Sequence, residues 1–87
     1  MNIKKIIKRE CPYLDLSGPI GDNNRKYKQA LQKAASCYGH ITDINILRIE
    51  LGEARLRYRN STNHQNTADN LILNTLLDEQ HLKRAKN

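Results

Sequence analysis

Along residues 24–38 the apolar positions Tyr27, Leu31, Ala34, Ala35 and Tyr38 recur at the spacing of one helix face, while Arg25, Lys26, Gln29, Gln32 and Lys33 fill the opposite side. This pattern predicts an amphipathic helix, with Asp22 or Asn23 as its N-terminal cap and Gly39 as its stop. A second helix is expected from about Ala68 to Arg84, capped by Thr67, with Ile72, Leu73, Leu76 and Leu77 facing a core. Near the N-terminus, Ile3, Ile6 and Ile7 share one side of a two-turn segment whose other positions are Lys4, Lys5, Lys8 and Arg9. Pro12 disfavours helical geometry at Cys11, so this short basic helix should occupy residues 1–11 and end there. Residues 13–23, with two Gly and a Pro, read as a loop, and 60–66 as a polar linker. The Gly18-Pro19-Ile20-Gly21 stretch lacks the Lys-Ser/Thr of a phosphate-binding loop and reads as a turn.

The segment LRIELGEARLRYR, residues 47–59, supports two structures. With period two it alternates apolar and polar on both sides of Gly52-Glu53, which makes a β-hairpin with a two-residue turn and an arginine-studded face. With the helical period, Ile44, Leu47, Leu51, Ala54 and Tyr58 form one narrow seam, and Ile46, Ile49 and Leu56 form a second stripe nearly opposite. An isolated two-stranded hairpin is weak in water, and no convincing third strand accompanies it. A helix interior glycine costs only about 1 kcal/mol against alanine. The helix is favoured, with Thr42 available to cap it and Glu53 and Arg57 spaced as a helical ion pair. The expected fold is therefore all-α, a single-domain bundle of three main helices plus the short N-terminal one. The alternative is α+β with a 47–59 hairpin.

Composition supports that choice. The chain of 87 residues has no Phe, Trp or Val, so its core must come from Leu, Ile, Ala and Tyr, and helix formers dominate the rest. So small an apolar complement invites a second copy or another partner to bury further area, and a homodimer is one expectation. Two cysteines are too few for a disulfide-stapled secreted domain, the N-terminus lacks the apolar run of a signal peptide, and no segment is long enough to span a membrane. A reduced, cytoplasmic setting is expected, and the Asn60-Ser61-Thr62 sequon is read as coincidence.

Charge narrows the function. The net charge is +6, and residues 1–33 carry eight Lys/Arg against three acids, whereas residues 34–87 carry seven against six. A basic half favours an anionic partner: nucleic acid, or an acidic protein surface. The candidate phosphate contacts are Lys4, Lys5, Lys8, Arg9, Arg25, Lys26 and Lys33, assisted by Arg55, Arg57 and Arg59 around Tyr58. Solvated helix faces are often this basic without any partner. The rival function is a protein-interaction module of adaptor, inhibitor or immunity type, using Ile46, Ile49 and Leu56 or the 44–58 seam, including for self-association. Catalysis is not expected, because neither His40 with Asp43 nor His81 with Asp78 or Glu79 stands in a recognisable nucleophile frame. Cys37 and His40, even with Cys11 and His64, lack the paired spacing of a structural zinc site, so no metal or cofactor is expected. The short N-terminal helix could also lie on an anionic membrane surface, though core packing explains its isoleucines as well.

Overall fold

A computed structural model describes residues 1–14 and 19–85, with the backbone alone at 19–21. The chain forms four helices: α1 (Ile3–Glu10), α2 (Pro19–Tyr38), α3 (Ile44–Asn60) and α4 (His64–Ala85). No strand occurs among the described residues, and the 47–59 hairpin is replaced by the middle of α3. Period-two alternation was coincidental there, and the helical seam decides: Ile44, Leu47, Leu51 and Ala54 are buried together. Tyr58, assigned to the same seam, remains 41% exposed.

Each helix start follows from local chemistry. The Asn2 side chain accepts a hydrogen bond from the Lys5 amide at 3.2 Å, capping α1. α1 ends at Cys11, whose N–H donates to the Ile7 carbonyl at 2.8 Å before Pro12 removes the next donor. α2 begins at Pro19 rather than Asn24, so residues 19–23 of the expected loop are helical, while positions 15–18 lie outside the described residues. Proline suits a first helical position, where its missing N–H would have no intrahelical partner, and its φ is already helical. Asp22 lies in the first turn, facing the positive end of the helix dipole, instead of capping it. At the other end a side chain on Gly39 would collide with the Ala35 carbonyl oxygen, so the chain needs glycine to turn off α2.

Asp43, not Thr42, caps α3, accepting from the Asn45 amide at 2.8 Å and the Ile46 amide at 3.4 Å. The expected 60–66 linker is shorter than its polarity implied. Asn63 accepts from the Asn66 amide at 2.8 Å and starts α4 at His64. Thr67 therefore sits inside the helix, its hydroxyl donating back to the Asn63 carbonyl at 2.8 Å. Two asparagine side chains then tie α4 to α3. Asn66 Nδ2 donates to the Arg57 and Ser61 carbonyls at 3.2 and 2.7 Å, and Asn70 Nδ2 donates to the Ala54 carbonyl at 3.0 Å. These bonds satisfy carbonyls at the end of α3 and give the polar stretch a reason to be ordered.

α4 packs against both α2 and α3, and α1 packs on α2. The core joins Ile6, Ile7 and Cys11 with Leu31 and Ala34 of α2, Leu47, Leu51 and Ala54 of α3, and Ala68, Ile72, Leu73 and Leu76 of α4. Alanines at several of these contacts let the helices approach closely. The resulting slab measures 46 × 30 × 17 Å, with a radius of gyration of 13.7 Å. A compact chain of this length would have about 12 Å. No helix among the described residues is long and apolar enough to cross a membrane.

Candidate nucleic-acid interface

Because α1 lies on α2, cations from two helices meet in one groove. Lys4, Lys8 and Lys28 line a groove of about 510 Å³ together with Ile7, Cys11, Pro12, Leu14 and Gln32. It adjoins a second depression of about 480 Å³ formed by Arg25, Lys28, Gln29, Gln32 and Leu14. Leu14, Lys28 and Gln32 belong to both, so the two form one trough whose described lining holds four cations, two amides and no carboxylate. Lys28, at the border of the α2 polar face in the sequence pattern, is the residue at its centre. Only the docking of α1 on α2 gives it that position.

The remaining α1 cations turn the other way. Lys5 and Arg9, with Lys8 shared, line a separate pocket of about 570 Å³ that includes Thr75 and Glu79 of α4. Arg9 pairs with Glu10 at 3.1 Å, and Glu79 pairs with the N-terminal ammonium at 3.3 Å. Arg25 pairs with Asp22 at 3.2 Å, an exposed contact of little energetic weight that leaves the guanidinium free to exchange partners. Lys26 and Lys33 are exposed on α2 but do not line the trough.

The three α3 arginines are divided. Arg55 and Arg59 are exposed, and neither lines the α1–α2 trough. Arg57 is half-exposed but engaged across helices: its Nη2 donates to the Tyr38 hydroxyl at 3.2 Å and lies 3.7 Å from Asp69 Oδ2. The ion pair with Glu53 expected from helical spacing is not among the contacts, since Arg57 serves Asp69 instead. Asp69 is the buried acid of the core, and its other oxygen accepts from Gln65 Nε2 at 2.9 Å; the same Gln65 nitrogen donates to the Ala30 carbonyl at 3.1 Å. Arg57, Tyr38, Asp69 and Gln65 thus form a structural network joining α2, α3 and α4. Burial, followed by the charge of Asp69, raises the Tyr38 hydroxyl pKa, with Arg57 opposing, so the phenol stays neutral beside the carboxylate.

Tyr27 is displaced further. Its pKa is pushed up to about 12, chiefly by burial and then by Glu10 and Cys11, with Arg9 opposing. Its ring lies 6.2 Å from that of His64 at an angle of 34°. At the trough wall, burial and then Glu10 raise the Cys11 thiol, while Lys28 pulls it down. Cys11 is buried and Cys37 exposed, both as free thiols. Among the described residues no three His, Cys, Asp or Glu side chains converge as a metal site.

Comparison of the chain with known protein families, with characterised proteins and with solved structures finds no match.

Proposed function

We propose that the protein is a non-catalytic nucleic-acid-binding protein that holds the phosphate backbone in the α1–α2 trough. One observation carries this reading: Lys4, Lys8, Arg25 and Lys28 converge from two helices on a trough with no carboxylate among its described lining residues. Ammonium and guanidinium groups along such a trough neutralise successive phosphates, and Gln29 and Gln32 can donate to phosphate or sugar oxygens. Lys5 and Arg9 on the other side of α1, and Lys26 and Lys33 exposed on α2, add to its long-range attraction. Arg55 and Arg59 extend a second, more distant basic surface. Binding of this kind is steered by charge and largely independent of sequence. Two unbonded cysteines accord with a reduced, cytoplasmic setting.

The test is a salt titration of affinity for generic duplex and single-stranded oligonucleotides. Affinity should fall steeply between roughly 50 and 200 mM salt. Lys8→Ala and Lys28→Ala should each weaken binding across all sequences and lower the log–log salt slope by about one. Arg55→Ala with Arg59→Ala should have the smaller effect. Absence of binding at low salt, or an unchanged slope in the trough variants, rejects the assignment.

A further inference from the structure

We infer that the outer face of α3 is a homodimer interface in which two copies of α3 pair in parallel through Ile49, Gly52 and Leu56. Ile49 is 61% exposed and Leu56 58%, and both lie on the side of α3 away from α4, with Ile46 (47%) at the edge. Asn45, Ile49, Gly52 and Leu56 follow one another at spacings of four, three and four, the repeat of a helix–helix seam. No close contact inside its own chain calls for glycine at position 52. A side chain added there would meet nothing within 4 Å, and yet glycine weakens a helix interior. A second helix crossing at that point accounts for it, because the missing side chain lets two backbones approach between the Ile49 and Leu56 layers.

Charge identifies the occupant as a second copy. Flanking the seam, Arg48 and Glu53 are exposed, and neither has an ion-pair or hydrogen-bond partner among the described residues. In a parallel pair the flank holding Arg48 faces the flank holding Glu53 of the second copy, forming two symmetric ion pairs. An antiparallel pair would set Arg48 against Arg55 instead, which selects the parallel arrangement. Asn45 at a seam position adds a polar layer of the kind that fixes register.

Sedimentation velocity of the full chain from about 1 to 500 µM tests this. The wild type should dimerise, and Ile49→Asp or Leu56→Asp should raise the dissociation constant at least tenfold with an unchanged far-ultraviolet circular dichroism spectrum. Arg48→Glu should weaken the dimer, and Arg48→Glu combined with Glu53→Arg should restore it. In a Cys37→Ser background, Asn45→Cys should cross-link two copies on mild oxidation, since only the parallel register brings these positions together. A wild type that stays monomeric at 500 µM, or a dimer indifferent to Ile49→Asp and Leu56→Asp, overturns the proposal. Failure of the cross-link in a dimer that these variants do disrupt overturns the parallel register. A monomer that sediments with anionic phospholipid vesicles through Ile49 would assign the face to a membrane and also overturn it. Because α3 lines no part of the trough, Ile49→Asp and Leu56→Asp leave the trough residues unchanged, and binding lost in Lys8→Ala or Lys28→Ala is read separately from the dimer.

Discussion

Tyr27 and Tyr38 show how a phenol can make stability depend on pH from within a core. Both have folded-state pKa values raised above the unfolded one, Tyr27 to about 12. The folded chain therefore retains protons that the unfolded chain releases, and their contribution is fully present below the unfolded value near 10 and lost as pH rises through the folded values. The thermal midpoint should fall as pH climbs from about 10 to 12, and Tyr27→Phe should flatten much of that fall. A midpoint as steep in Tyr27→Phe as in wild type would show that other groups control it. The same residues mark the limit of sequence reading. Tyr27 and Tyr38 were assigned correctly to the inner face of α2 by periodicity alone. Spacing groups Arg57 with Arg55 and Arg59 and gives no sign of its partners Tyr38 and Asp69, which lie far away in sequence and meet it only through packing. Periodicity marks a residue's side of its own helix and is silent about which polar group waits on the neighbouring one.

At the scale of elements, the helical faces were legible and the helix ends were less so. Thr42 and Thr67 are plausible caps in isolation, but Asp43 and Asn63 lie where the chain enters each helix, and either type of residue can supply the oxygen. Asp43→Ala should cost about 1 kcal/mol of stability in chemical denaturation. Thr42→Ala should stay within about 0.5 kcal/mol, as an exposed substitution without a partner. Gly52 separates the two structures once open for residues 47–59. In α3 its replacement by alanine meets no obstruction. In the Ile49→Asp monomer, Gly52→Ala should therefore gain about 0.5–1 kcal/mol, several degrees in thermal midpoint. In the wild-type background the same change should loosen the dimer by wedging the two backbones apart. Opposite signs from one methyl group would separate helix propensity from association.

For the whole molecule, composition and periodicity led to the fold class, because a chain without Val, Phe or Trp has few residues suited to a pleated sheet. The packing order was not legible: nothing in a one-dimensional pattern says that α1 rides on α2 while α3 lies on the far side of α4. The trough depends on that order, which is why the basic N-terminal half was visible as a charge imbalance but not as a site. Lys28 is the clearest case, unremarkable on its own helix and central once α1 is docked. The slab shape also leaves α3 with one covered face and one bare face, so the thermal midpoint should rise with protein concentration and lose that dependence in Leu56→Asp. A midpoint unchanged over a hundredfold dilution would argue against association.

The order of the helices along the chain differs from their order in space. Of these four helices α4 is made after the others, and both α2 and α3 rest on it. At about 5–20 residues per second, the ribosome needs roughly one to four seconds to add its 22 residues. During that interval the apolar faces of α2 and α3 have nothing to close upon, and a chain interrupted at the Ser61–Asn63 connection would be recognised by chaperones as unfinished. The same connection is a natural place to divide the protein, so that a peptide carrying α4, supplied separately, would act as the template on which α2 and α3 assemble, α1 riding on α2.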